Sequence, residues 1–403
     1  MRDDGTTSSP DMGIGRRIAQ ARKLRGLTQQ QLADRVPCSK SLIAQVERGH
    51  KPATQALVAA VARTLGVGLG RLTGQPYHEG REEQVHCGIP EIRRALLSWD
   101  LPDEDLLPPP LEQLRLDVRC ASDLGRRAQF AQLTAMLPGL LEELTRAAHF
   151  SDGSPCDEVF GLLAEAYTGV TAIAYTFGYF DLRSLAMDRV MWAAHSSQDR
   201  LRVARTYWQR STLFLATAAY DKGLSLLDRV RQEIGEDLGR LNAAELSVLG
   251  AAHLRSAIFA ARAADRQTAF EHVEHAREAA RVIGRDANHY GLEFGPSNVA
   301  MHAVAVAVEM CDGGEAIRLA GSSDFPATVA PVRLGHYYID VARGWLYHGD
   351  RQKSFDMLLA ARRTAPQQTR NHPMVHETVR AISTLKRRRS RELSDFARWL
   401  GLP

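Results

Sequence analysis

TQQQLADRVPCSKSLIAQVER, residues 28–48, decides the fold of the N-terminal part of this 403-residue chain. Thr28 and Ser39 are residue types that cap the first backbone N–H groups of a helix. Apolar residues follow each of them at helical spacing, and Pro37 interrupts the pattern between them. The segment therefore predicts two short helices joined by a tight break.

Three more helices are predicted around this pair. Residues 14–24 have a helical period that Gly26 closes, and residues 54–65 have another that ends at Gly66. A last short turn covers residues 69–72. Residues 13–73 are thus expected to form a five-helix domain.

Positive charge is concentrated in this domain. Residues 13–73 hold eleven Lys and Arg but two acidic residues, a net charge of +9. The whole chain carries only +4, so the remainder carries −5. A small basic domain suits a polyanion such as DNA, because each neutralised phosphate releases counterions.

Two short helices with a tight break, inside a basic domain of this size, form a helix-turn-helix layout. Its second helix must present polar side chains to base edges in the major groove. Lysine can donate to guanine and glutamine can pair with adenine. The outward set is predicted to be Lys40, Ser41, Ala44, Gln45 and Arg48.

At this point the chain resembles the XRE family, the phage-repressor and Cro type of helix-turn-helix. The resemblance covers residues 14–74 and is carried by ARKLRGLTQQQLADRV and SKSLIAQVERGHKPATQALVAAVARTLGV. Pro37 departs from the pattern, because that turn position normally holds glycine and proline cannot take a left-handed conformation.

The resemblance implies a role for each matching position. Bases would be read by Lys40, Ser41 and Gln45, while Gln29, Ser39, Arg48 and Lys51 would lie near phosphates. Arg22 and Glu47 would form an internal ion pair; two solvated charges are the alternative.

After this domain in the chain, residues 74–110 are interpreted as a linker with one helix from about Pro90 to Ser98. Gly74, Pro76 and the run Pro108–Pro110 favour a break there. Residues 1–12 are expected to be a disordered tail.

From residue 111 to 403, apolar residues recur every three or four positions and strand-like alternation is nearly absent. Short turns with an aspartate recur at spacings of 40, 44, 47 and 38 residues, at Asp181, Asp221, Asp265, Asp312 and Asp350. The pattern resembles degenerate tetratricopeptide repeats, with a single bundle as the alternative. The predicted fold class is all-α: the five-helix domain, then a tetratricopeptide-like helical superhelix.

Such stacked helix pairs enclose a concave groove that suits a peptide or a small ligand. The candidate lining residues are Arg205, Trp208, His253, Asn298, His302, Tyr337, Asp340 and Arg343. Asn298 follows a Gly- and Pro-containing loop and could equally be a cap.

Other functions find little support in the sequence. The five cysteines are odd in number and form no CxxC pair, so neither a metal nor a disulfide framework is expected. His272 and His275 lie on one helix face, a weak zinc signal. Phosphate loops and nucleophile elbows are absent, so no enzyme and no cofactor is predicted. No apolar run reaches membrane-spanning length, and the polar N-terminus lacks a signal peptide, which predicts a cytoplasmic protein.

Together these features predict a sequence-specific DNA-binding transcriptional regulator of XRE type with a repeat body, dimeric and modulated by a peptide or small ligand. Its Arg-rich, Lys-poor composition resembles actinobacterial members of the family. The alternatives are a protein-interaction adaptor or antitoxin-like regulator whose groove holds a partner protein, and a repressor without a ligand. The operator, the effector and the sign of regulation stay open. The basic run Lys386–Arg391 is either a solvated face or a second nucleic-acid contact.

Overall fold

The computed structural model describes residues 12–77, 83–103, 105–235, 237–385 and 390–402. The predicted tail, apart from Met12, lies outside these residues. So do residues 386–389 of the basic run.

The described residues form α-helices and one short 3-10 helix at His289–Gly291, with no strand among them beyond an isolated bridge between Ala287 and Phe294. This confirms the all-α prediction. The helices are α1 (Ile14–Leu24), α2 (Gln29–Ala33), α3 (Lys40–Glu47), α4 (Gln55–Leu65), α5 (Leu69–Thr73), α6 (Glu83–Leu97), α7 (Leu111–Arg126), α8 (Phe130–His149), α9 (Ser154–Phe177), α10 (Phe180–Ser196), α11 (Arg200–Ala216), α12 (Tyr220–Ile234), α13 (Ala243–Arg262), α14 (Arg266–Ile283), α15 (Pro296–Glu309), α16 (Gly313–Gly321), α17 (Pro331–His348), α18 (Arg351–Thr364), α19 (Pro366–Asn371), α20 (Pro373–Leu385) and α21 (Arg391–Trp399).

Three of the first five helices, α2, α3 and α4, begin at a residue whose side chain caps them. The Thr28 hydroxyl accepts from the backbone N–H of Gln31 at 3.1 Å, and the Gln31 side chain accepts in return from the backbone N–H of Thr28 at 2.8 Å. The Ser39 hydroxyl accepts from the backbone N–H of Leu42 at 3.2 Å. The two helices of the predicted pair therefore start at the expected residues, although α2 ends early, at Ala33.

The helix predicted in the linker is longer than expected. It begins at Glu83 rather than near Pro90, which lies inside it. Proline favours the first turn of a helix, so the sequence around Pro90 is typical of a helix N-terminus. In the structure, burial of the apolar face keeps the helix continuous on both sides of Pro90. Val85 and Ile92 are fully buried in the same core as α8 and α9, so α6 packs on the body.

The body is an array of antiparallel helix pairs, α7 with α8 through α17 with α18. In three pairs the turn places one residue at positive φ (Ala264, Cys311 or Gly349) immediately before an aspartate whose side chain caps the next helix. This local requirement explains three of the five recurrent aspartates; Asp181 and Asp221 lie within the first turns of α10 and α12 instead. Each pair packs on the next, as in a repeat array rather than a single bundle.

The array curls until its two ends meet. Helix α17 contacts α7, and α19 contacts α9. The N-terminal domain sits against this closed array: the Gln75 amide donates to the backbone oxygen of Asn371 at 2.8 Å, and the backbone N–H of Ile14 donates to Glu377 at 3.0 Å. Met374 of α20 is buried in the core of the N-terminal domain. The DNA-binding candidate and the body thus share packed surface.

Candidate nucleic-acid interface and ligand cavity

Helix α3 has one buried edge and one polar edge. Ile43 and Val46 are 0% and 1% exposed and fill the core of the N-terminal domain. Lys40 and Ser41 are exposed, and Gln45 is half-buried with its amide donating to the Ser41 hydroxyl at 3.2 Å. The side chains expected to meet bases therefore lie together on the accessible edge.

One member of the predicted outward set is wrong. Ala44 is only 9% exposed and belongs to the buried side of α3. Ala44 lies next to the apolar stripe of α3, and its methyl group is too short to extend past the longer side chains around it, so they cover it.

The backbone-contact candidates lie at the two ends of α3. Ser39 and Arg48 flank the helix and are exposed, as is Lys51. The backbone N–H of Lys51 donates to the Gln45 carbonyl at 3.3 Å, which holds that residue against the end of α3. Gln29 is differently engaged, since its amide donates to Glu47.

Arg22 and Glu47 meet in a two-pronged ion pair. Arg22 Nε and Nη2 lie 2.6 and 2.8 Å from the two carboxylate oxygens, and Gln29 Nε2 donates to Glu47 Oε2 at 2.7 Å. The two charged side chains are 9% and 5% exposed, so they are not solvated charges. Burial alone would raise the pKa of Glu47, but the hydrogen bonds from Arg22 and Gln29 and the Arg22 charge hold that pKa below its ordinary value.

The turn at Pro37 forms without a left-handed residue. The backbone N–H of Cys38 donates to the Val36 carbonyl at 2.7 Å, and φ is negative from Val36 to Ser39. Pro37 itself is exposed. The departure from glycine is therefore accommodated by a tighter turn, and Ser39 still caps α3.

The body encloses a cavity of about 990 Å³. Six of the eight predicted groove residues line it: Arg205, Trp208, Asn298, His302, Tyr337 and Asp340. Residues of α4 and α5 complete its wall, among them Gln55, Val58 and Leu69. The cavity is thus bounded by the body and by the N-terminal domain together.

Asn298 is both a structural and a cavity residue. Its amide donates to the backbone oxygens of Leu292 and Glu293, at 3.3 and 3.0 Å, and so fixes the preceding loop. Its Oδ1 atom is buried with no hydrogen-bond partner among the described residues. Asn298 is not a cap, since α15 begins after Gly295 without a side-chain cap. Its amide nitrogen holds the preceding loop, and its oxygen is free to contact a ligand.

Two predicted groove residues lie elsewhere. His253 faces α14, where its Nδ1 is 3.0 Å from Nδ1 of His272. Arg343 is 2% exposed behind the wall and pairs with Asp340 at 3.0 Å and Glu309 at 3.4 Å. The sequence interpretation placed both on the inner face because they lie on the first helices of their pairs, α13 and α17, but a first helix also has a side that faces its own partner or a neighbouring pair.

Arg183 and Arg333 also line the cavity and were missed. No signal in the sequence separates them from other arginines in this Arg-rich body, because their neighbours in space come from distant helices.

The described part of the chain contains no cluster of His, Cys, Asp or Glu arranged to hold a metal ion. His272 and His275 therefore belong to no such cluster. Within the same residues, no helix has both the length and the apolar composition that a membrane crossing requires.

Two sequence comparisons agree with the N-terminal geometry. A helix-turn-helix family model matches residues 18–72. The immunity repressor protein of Bacillus phage phi105 is 32% identical over 98 residues, which are 22% of this chain and 68% of the repressor. Among solved structures, BtubC from P. vanneervenii is 15% identical over 69% of this chain and 96% of that one, with a TM-score of 0.37. Bacillus thuringiensis PlcR, solved with the peptide PapR7 and DNA, is 13% identical over 85% of this chain and 98% of that one, with a TM-score of 0.36.

Proposed function

The chain belongs to the XRE-type helix-turn-helix family of DNA-binding regulators, and from that premise we propose that it is a sequence-specific transcriptional regulator that reads duplex DNA with α3. The observation that carries the proposal is the polar edge of α3. Lys40 and Ser41 stand exposed on it, with Gln45 beside them.

Each of these side chains has a defined chemistry toward bases. The Lys40 ammonium donates to guanine O6 or N7, and the Gln45 amide pairs with adenine N6 and N7. In the free protein the Gln45 amide donates a hydrogen bond to the Ser41 hydroxyl. Because this hydrogen bond is exposed to solvent, its replacement by a hydrogen bond to a base costs little free energy. Ser41 then serves as donor or acceptor to either base.

Affinity comes from phosphates and specificity from bases. Ser39, Arg48 and Lys51 lie at the ends of α3, where they fix the register of the helix on the backbone. Arg22 and Glu47 tie α1 to α3 from behind and keep the reading edge in place. The Gln29 amide supports Glu47, so Gln29 acts on the interface mainly by positioning.

We further propose that the protein acts as a homodimer and that a ligand in the cavity modulates it. One domain of this size reads about half of an operator, so two copies about one helical turn apart bind usefully. The cavity wall includes α4 and α5 of the DNA-binding domain. A ligand that touches both parts favours one placement of the domain over another, which is the differential contact that coupling requires.

The test is selection of bound fragments from a random duplex pool by the purified full-length protein. Enriched fragments are expected to share a site with two related halves, their centres about 10 base pairs or a multiple apart. The K40A/Q45A protein should enrich no such site. A K222A/Q267A protein removes the same side-chain types from exposed positions on α12 and α14, and it should enrich the wild-type site.

Enrichment of the same site by the K40A/Q45A protein would reject the assignment of α3 as the reading helix. Failure of the wild-type protein to enrich any sequence would reject sequence-specific binding itself.

A further inference from the structure

The cavity of the body contains four arginines that no acidic partner neutralises fully. Arg183, Arg205, Arg255 and Arg333 all line it. Arg183 is 7% exposed, while the other three keep part of their surface open. A buried guanidinium without a counter-charge is unfavourable, because desolvation is not offset by a paired charge.

Arg205 is held by neutral groups. Its Nη1 donates to the Thr168 hydroxyl at 2.8 Å and to the Gln209 amide oxygen at 2.7 Å. Its Nε is buried without a hydrogen-bond partner among the residues described. Burial lowers the pKa of Arg205 to about 10 although the charge of Glu165 acts in the opposite direction, so its surroundings compensate the guanidinium only in part.

Arg255 is more isolated. Its guanidinium lies over the Trp208 ring, 4.8 Å from the ring centroid, and its Nε has no partner within the described part of the chain. Burial lowers the pKa of Arg255 to about 9, and the charges of Arg183 and Arg333 act in the same direction. The ring face offers a weak attraction that does not replace an anion.

The remaining two arginines add to the same positive surface. Arg183 donates to the Thr212 hydroxyl and lies 4.8 Å from the centroid of the Tyr175 ring. Arg333 donates to the Leu292 carbonyl at 2.9 Å, and its Nε is 4.0 Å from a Glu293 oxygen, the outer limit of an ion pair.

Three acids of the cavity wall pair with arginines outside this group of four. Glu293 receives a hydrogen bond from Arg126, and Glu309 receives one from Arg262 at 3.0 Å. Asp340 pairs with Arg343 at 3.0 Å. Neutralisation of the four arginines by these three acids would break their pairs. Glu165 also lines the cavity and accepts from the Ser122 hydroxyl; its charge acts on Arg205 but does not keep the pKa of that group at its ordinary value.

We propose that this cavity binds an effector with a carboxylate or phosphate group, held by Arg205, Arg255 and Arg333. The inference rests on the proposed function, since it names the class of ligand that the sensor body takes. A guanidinium presents parallel N–H donors that match the two oxygens of a carboxylate or phosphate. Ile258, Met301 and Val332 also line the cavity, so the effector carries an apolar part beside its anionic group.

Three matched pairs of probes test the anion requirement and separate its sources. Decanoate and decanol represent an organic acid, decyl phosphate and decanol a phosphate ester, and a leucine-rich pentapeptide with a free or amidated C-terminus represents a peptide carboxylate. Binding to the full-length protein is measured by calorimetry. In at least one pair the anionic member should bind with a Kd lower by about tenfold or more, the scale of a charge-assisted hydrogen bond.

The R255M protein should lose that preference, and an R277M protein, altered on the outer side of α14, should keep it. Equal binding of both members in all three pairs would overturn the proposal. So would an undiminished preference in the R255M protein.

A second measurement guards against a variant that merely unfolds. Without ligand, R255M should unfold at a temperature at least as high as the wild-type protein, because it removes an uncompensated buried charge. A clear fall in unfolding temperature would mean that Arg255 is structural, which also contradicts the proposal. DNA selection by the same preparation distinguishes failure of the effector class from failure of the proposed function. A protein that selects its site but binds no anion refutes the effector class alone. A protein that binds the anion but selects no DNA refutes the proposed function.

Discussion

Replacement of Arg22 by methionine should loosen the N-terminal domain, because it leaves the Glu47 carboxylate buried without its counter-charge. Arg22 supplies two hydrogen bonds to that carboxylate, and its Nη1 also donates to the Leu27 carbonyl at 2.6 Å. After the change only Gln29 still donates to Glu47. Loss of one member of a buried ion pair destabilises by about 3–5 kcal/mol, and the 5% exposure of Glu47 places this pair in that class.

Removal of both charges should restore most of that loss. In the R22M/E47L protein two apolar side chains face each other, and exchange of a whole buried pair for apolar residues is often neutral or stabilising. The double variant should therefore be more stable than R22M alone, and the difference measures the coupling between the two positions.

Amide hydrogen exchange along α1 and α3 of the full-length protein is the assay, because it reports local opening within a multidomain chain. Every 1.4 kcal/mol changes the open population about tenfold, so R22M should speed exchange there by about a hundredfold or more. R16M is the control, since it makes the same change at an exposed position of α1. Equal exchange in R22M and R16M would refute the claim that the pair holds the domain together.

Three further changes probe the same framework. G15A should destabilise the N-terminal domain by about 1–3 kcal/mol in denaturant unfolding, because the new Cβ would lie 1.9 Å from the Val46 carbonyl oxygen; the exposed, open Gly139 is the matched control, where alanine should raise stability. Acidification should destabilise α1 and α3. Because folding lowers the pKa of Glu47, its ionised carboxylate stabilises the domain above the ordinary pKa, and this stabilisation is lost as the pH falls through the pKa of the folded protein. Exchange in E47Q should depend less on pH over that interval. N242A should weaken α13 by about 1 kcal/mol, because the Asn242 side chain accepts from two backbone N–H groups, and unchanged protection of the first turn of α13 would contradict this.

Local features of the fold could be predicted from the sequence because they depend on neighbouring residues. Caps such as Thr28 and Ser39, and the capping aspartates Asp265, Asp312 and Asp350 of the body, accept from the backbone N–H three positions further along the chain. The start of α6 was harder to predict from the sequence. Pro90 is compatible with the first turn of a helix and also with the interior of a helix whose apolar face is buried.

The ligand cavity was only partly predictable. Arg205 and Tyr337 were assigned to it because they lie on first helices of their pairs, but His253 shares that property and faces α14 instead. The lack of acidic partners around Arg255 depends on helices far apart in the chain, and no local pattern encodes it. Ala44 was misplaced for a related reason, since the limit of a buried stripe is set by the packing of the whole domain.

The most direct test of α3 as the reading helix is a comparison of Kd for the selected duplex and for a scrambled duplex of equal length, at one fixed salt concentration. The wild-type protein should prefer the selected duplex, and K40A/Q45A should lose about 1–3 kcal/mol of that preference for each base contact while its binding to scrambled DNA changes little beyond the loss of one charge. An equal preference in both proteins would contradict the account.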